Sequence, residues 1–337
     1  MTVGSKLERG GISPLSAPLA RKISLWARLK GTLTALGFMA PTVLLVTLFF
    51  FLPVIMIFIL SFSDLDMTNF GRLQWWLPSN WDLENYAKIF SNKFFPKILG
   101  NTAMYVALTL AFFNVGMGLV IALLTTIIER RAGFLFRLIW LLPRITPSVV
   151  YIIMWKALAG PEPVGIINHY LLVPLGLSEG ELLINTYPWL FVILVNGFIG
   201  ASFGMIIFTS AIEAIPRDYM MAAKVDGAST WQTIRYITIP MIKWPLLFVT
   251  TYQTLSLLTS FEQIMLLTDG GPRLYQTEVW ALTAYHRALT NYFGNTQWGY
   301  GSAWAVILVI IGVIMAIVYL RVFRFSELVQ EPKVEMV

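Results

Sequence analysis

Six stretches of the chain are almost continuously apolar, at about 33–61, 101–128, 138–159, 188–212, 241–267 and 301–323. A bilayer core about 30 Å thick is crossed by a helix of about 20 apolar residues, so each stretch is long enough to span. The pattern predicts an all-α membrane protein with about six transmembrane helices. Two of the six are irregular. The third carries Arg144, Pro147 and Lys156, and the fifth is polar along its length, with Tyr252, Gln253, Thr254, Ser256, Thr259, Ser260 and Glu262. Prolines such as Pro41 and Pro53, which bound the run in the first stretch, are tolerated in membrane helices because neighbours satisfy the freed carbonyls.

Composition supports this reading. Of 337 residues, 57% are hydrophobic and 12% charged, against roughly 25% charged in soluble domains. Lipid is the solvent that such a surface requires. Twelve Trp suit two membrane–water interfaces. The absence of Cys removes disulfides, thiolate metal sites and Cys nucleophiles. The net charge of +6 does not imply nucleic acid, because the basic residues bracket the apolar stretches.

Those basic residues also orient the chain. With a cytoplasmic N-terminus, sixteen Lys and Arg fall on inside segments (1–31, 129–137, 213–243 and 321–337) and six on outside ones (62–100, 161–187 and 269–300). The positive-inside rule therefore places both termini in the cytoplasm. The expected organisation is a cytoplasmic tail 1–31, a transmembrane domain 32–323 and a cytoplasmic tail 324–337. Segment 1–31 does not read as a cleaved signal, since the apolar run after it is too long and no small-residue cleavage site follows. Segment 62–100, rich in Trp, Asn and Asp, is expected to form a small folded cap.

The segment that carries most information is cytoplasmic, at 213–240. Pro216 suits a helix start, and residues 217–225 include Met220, Met221, Ala222, Ala223 and Val225, an apolar surface with small side chains. Gly227 can end that helix, Ser229 or Thr230 can cap the next, and Pro240 interrupts it. Two short helices around a turn, tied to two membrane spans, form a handle that another protein can push.

This segment resembles the EAA loop of ATP-binding-cassette importer permeases, Glu-Ala-Ala, three residues, Gly, nine residues, Ile-x-Leu-Pro. Ala222, Ala223, Gly227, Ile237 and Pro240 occupy matching positions, while Met221 stands in place of Glu and Ile239 in place of Leu. The upstream Ala214-Ile215-Pro216, the turn Val225-Asp226-Gly227-Ala228 and the later Thr268-Asp269-Gly270-Gly271-Pro272 look like the carbohydrate, maltose-type branch. The resemblance implies a type I importer permease architecture in a bacterial or archaeal cytoplasmic membrane. It implies coupling through Met221, Ala222, Ala223, Asp226, Gly227, Ile237 and Pro240. Its expected partners are a second homologous permease, a dimer of an ATP-binding-cassette ATPase that holds ATP and magnesium, an extracytoplasmic solute-binding protein and a carbohydrate solute.

Candidates for the translocation pathway are Arg144, Tyr151, Lys156, Tyr252, Gln253, Ser256, Ser260 and Glu262. Ionisable groups at membrane depth are costly and mark pathways or partners, although Arg144 and Lys156 also read as snorkelling residues. Tyr252, Ser256, Ser260 and Gln263 recur at helical spacing and offer the hydroxyls, amides and aromatic faces that suit a sugar, or alternatively interhelical polar contacts. Asn114 and Asn196 read as interhelical hydrogen-bonders. His169 and His286 have no companions at metal-ligand spacing. No nucleotide-binding G-x-x-x-x-G-K-[ST] occurs, so the chain is not its own ATPase and holds no cofactor of its own. The alternative class is a gradient-driven transporter or channel, for which broken helix pairs at the midplane are expected.

Overall fold

The computed structural model describes residues 37–290, 292 and 294–323, and among them every regular element is helical. Both expected tails, 1–31 and 324–337, lie outside the described residues. By internal contacts the chain forms two units, divided between Ile55 and Met56. Helix α1, Gly37–Leu60, crosses that division; it has no charged side chain, and Phe38, Phe49 and Phe58 are exposed, as on a lipid-facing helix.

In the second unit, α2 (Glu84–Ser91) forms the centre of the expected 62–100 cap. Asn85 is buried there, and its Nδ2 donates to the carbonyls of Ser61 (3.2 Å) and Ser63 (2.9 Å). Helix α3 (Phe95–Ile127) follows, with a wide π-helical stretch at Thr109–Met117. Next come α4 (Arg130–Ile145), α5 (Ser148–Leu158) and α6 (Pro188–Glu213). Helices α3 and α6 pack closely because α6 offers Gly200 and Gly204 to the π-helical stretch. A Cβ at either position would strike Asn114. Small residues let membrane helices approach in this way.

Two expected spans are not single helices. The third, 138–159, is the pair α4 and α5, bent by 100°. Pro147 holds Thr146 in an extended conformation (ψ 136°) and cannot donate to the helical ladder, so the helix restarts at Ser148. The fifth, 241–267, is α9 (Lys243–Thr259) and α10 (Glu262–Leu267), separated by extended Ser260 (ψ 121°) and by Phe261. Among the described residues, four helices are long and apolar enough to cross a membrane, and up to five if the bent pair counts as one span. The expected count of six included 241–267, which its polar break divides. The last elements are α11 (Trp280–Ala288) and α12 (Trp298–Val322). Their junction is an aromatic core in which buried Trp280 donates its Nε1–H to the Trp304 carbonyl at 2.7 Å.

Candidate functional site

Segment 213–240 folds as the expected pair of short helices, except that the second is not interrupted at Pro240 and continues to Met241. Glu213 ends α6 and is ion-paired to Arg137 of α4 at 2.7 Å. Helix α7 (Arg217–Val225) starts after Pro216, which is its N-cap. It ends in a Schellman motif: Ala228 N–H donates to Ala223 O (2.9 Å) and Gly227 N–H to Lys224 O (3.2 Å), with Gly227 at φ +73°. Ser229 then starts α8, which runs through Thr230–Thr233, Ile234–Thr238 and Ile239–Met241. Ser229 and Gln232 form a capping box, each side chain accepting from the other's backbone N–H (3.3 and 2.8 Å).

The two alanines do not share a surface. Ala223 is buried beneath α7, whereas Ala222 is exposed, beside exposed Met221 and 86%-exposed Val225. The outward face of α7 therefore carries Met221, Ala222 and Val225, with exposed Asp218 at its start. Asp226 caps α7 and is exposed, Ile237 is half-buried and Pro240 exposed. A cleft of about 320 Å³ between the two helices is bordered by Ala223, Asp226, Gly227, Gln232, Tyr236 and Ile237.

A second cluster lies at the break between α9 and α10. Asn196 of α6 donates its Nδ2 to Tyr105 Oη and to Ser260 Oγ (3.2 Å); Tyr105 Oη is 3.3 Å from Ser260 Oγ. Ser260 donates to Gln263 Oε1 at 3.0 Å, and Ser148 of α5 donates to Glu262. Tyr151, buried on α5, sits beside Gln263 and Glu262. The break thus ties together α3, α5, α6, α9 and α10. Of the predicted pathway residues it unites Tyr151, Ser260 and Glu262. Arg144 and Tyr252 meet through Phe203: the Arg144 guanidinium is 5.7 Å from the ring centroid, and Tyr252 stacks on the same ring at 4.8 Å. Ser256 is exposed, and Lys156 lies apart, in a pocket of about 210 Å³ with Asn185, Thr268 and Pro272. Gln253 is buried and donates to the Gly200 carbonyl (3.1 Å), a helix-to-helix contact and not a cavity-facing one.

The cluster at His286 was not apparent in the sequence. The imidazole is buried, with Nδ1 3.0 Å from Glu278 and Nε2 3.0 Å from Asp269, and it stacks on Tyr292 at 4.1 Å. Burial opposes charge on the ring, but the hydrogen bonds and charges of Glu278 and Asp269 outweigh it and raise its pKa. The clamp fixes the loop around Asp269, itself at φ +50°. The signal available in the sequence was only the eight-residue spacing of Glu278 and His286, two turns apart on and before α11.

Comparison with known proteins decides the family. Residues 114–335 match the family described as the binding-protein-dependent transport system inner membrane component. The chain belongs to this family. The permease is 28% identical to an osmoprotective compounds uptake permease of Synechocystis, over 86% of this chain and 99% of that protein. It is 27% identical to the trehalose/maltose transport system permease MalF of Thermococcus litoralis, over 90% and 99% of the two chains. A probable ABC transporter permease of Bacillus subtilis is 30% identical over 86% of this chain and 90% of its own length. Its fold matches a crystal structure of a bacterial ABC transporter for the acidic polysaccharide alginate, with a TM-score of 0.73 and 21% identity over 91% and 99% of the chains. The permease is a multi-pass membrane component of an ABC importer, and its relatives are transport subunits.

Proposed function

We propose that the chain forms half of the translocation pathway of a sugar or oligosaccharide importer, paired with a second homologous permease and supplied by an external solute-binding protein. Energy comes from ATP hydrolysed, with magnesium, on a separate ATPase dimer that grips segment 213–240. The observation that carries this reading is the exposed face of α7, Met221, Ala222 and Val225, held rigidly by a Schellman turn and a capping box. An amphipathic helix that leaves apolar side chains exposed outside its own fold has the form of a docking element. The Arg137–Glu213 pair links the start of this segment to α4, so a push on α7 reaches a membrane helix.

Sugar as solute is supported by relatives named for trehalose/maltose, lactose and diacetylchitobiose. An acidic solute is supported by the alginate importer and by Arg144 beside the Phe203 and Tyr252 rings. Hydroxyl and carboxamide groups at the Ser260 break supply hydrogen bonds that a polyol can exchange with during passage. Both termini and segment 213–240 lie in the cytoplasm on this reading, with 269–300 outside.

The test is uptake into proteoliposomes holding the full set of subunits. Accumulation should require ATP and the binding protein together and should not respond to a proton or sodium gradient alone. Accumulation driven by such a gradient, without ATP, would restore the secondary-transporter alternative.

A further inference from the structure

Helix α4 has an exposed apolar stripe with arginines at one end. Residues 131, 134, 135, 138, 142 and 145 recur at three- and four-residue intervals, which places them on one face. Arg131 is exposed, and Phe134, Leu135, Leu138, Leu142 and Ile145 are between 48% and 76% exposed. The stripe extends on the order of 20 Å at 1.5 Å per residue. At its start, Arg130, Arg131, Phe134, Leu135, Arg137 and Glu213 border a cleft of about 550 Å³.

The charges in this cleft do not balance. Glu213 is taken by Arg137 at 2.7 Å. The guanidiniums of Arg130 and Arg131 have no ion pair or hydrogen bond among the described residues. Arg130 also borders a neighbouring cleft of about 690 Å³ that holds two more cations, Arg217 and Lys224. The dipole favours an acidic side chain at a helix start, and the Glu129 carboxylate, accepting from Ala132 N–H at 3.0 Å, fills that place; Arg130 and Arg131 instead mark the inside end of a membrane helix, where anionic headgroups lie.

A ligand that satisfies both features needs an anionic head and a hydrocarbon body. A soluble anion leaves the stripe bare, and a neutral lipid leaves the guanidiniums uncompensated. Guanidinium matches phosphate oxygens in a bidentate geometry. We propose that α4 binds an anionic phospholipid, with its phosphate on Arg130 and Arg131 and its acyl chain along Phe134, Leu135, Leu138 and Leu142. The inference rests on the chain lying in a membrane and not on the importer reading. The lipid lies beside the Arg137–Glu213 pair and hence beside the start of segment 213–240.

The full-length permease, purified with its partner subunits, should be incubated with phosphatidylglycerol, phosphatidylcholine or inorganic phosphate and read by native mass spectrometry. Phosphatidylglycerol should be retained preferentially, and the R130Q/R131Q double variant should bind it at least tenfold more weakly, the order two arginines contribute at an anionic surface. R130K/R131K should retain part of that affinity, and size-exclusion profiles should be unchanged for both exposed-site variants. Equal retention by wild type and R130Q/R131Q would overturn the proposal. So would competition by inorganic phosphate with no preference between the two lipids. A photoreactive side chain at Leu135 should cross-link to lipid; cross-linking to a second permease would assign the stripe to a subunit interface and overturn it equally.

Discussion

Gly227 and His286 show how single residues fix the geometry of two loops of the permease. Gly227 adopts φ +73°, a left-handed conformation that L side chains rarely occupy, and no atom lies near the position of an added Cβ. The cost of Gly227→Val is therefore backbone strain alone, about 1 kcal/mol or more for a β-branched residue. Membrane abundance should stay near wild type while ATP-dependent transport falls, as measured by quantitative blotting and vesicle uptake on the same preparation. For His286 the sign follows from the raised pKa. A raised folded value means that the clamp's stabilisation is complete below the ordinary His pKa of about 6.5 and is lost as pH climbs through the folded value. The thermal midpoint of the purified protein should therefore fall as pH rises from about 6.5, and His286→Gln should flatten that dependence. A midpoint of His286→Gln that tracks wild type at every pH would remove the clamp from the stability of the loop. Gly227 was legible because a turn between two short helices demands it. The His286 clamp was not, because Asp269, Glu278 and His286 meet only once the loop and α11 fold together.

At the scale of elements, apolar runs predicted the long helices to within a few residues: 188–212 became Pro188–Glu213 and 301–323 became Trp298–Val322. Breaks were less legible. Pro147 announced the one after α4, but nothing local to Ser260 forces an extended residue there. It is held by partners distant in sequence, Tyr105 and Asn196. Spacing left Gln253 open between a pathway and an interhelical contact, and placed Ala222 and Ala223 on one surface, because spacing gives a face but not what that face meets. Asn196→Ala removes the shared donor to Tyr105 and Ser260, and interhelical hydrogen bonds in membranes average roughly 0.6 kcal/mol with a maximum near 1.7. Unfolding in detergent should show a loss within that range, with a larger proportional loss of transport. A transport rate equal to wild type would make the network a packing device alone.

For the molecule as a whole, the proposed arrangement rests on the excess of Lys and Arg on the inside segments, with α7 facing the cytoplasm and the Asp269 loop facing outside. A cysteine at Asn295 should react with an impermeant thiol reagent on intact cells, and one at Ser229 should react only after permeabilisation. The reverse pattern would invert the permease. The proposed coupling role of α7 has a more direct test. Ala222 is exposed and small, so Ala222→Trp adds bulk at the outward face without disturbing the buried side of α7, where Ala223 packs. Co-purification of the ATPase subunit and ATP-dependent uptake should be measured together on this variant. Normal membrane abundance with loss of both the attached ATPase and uptake is the expected result. Wild-type uptake with the ATPase still bound would contradict α7 as the element through which ATP moves the permease.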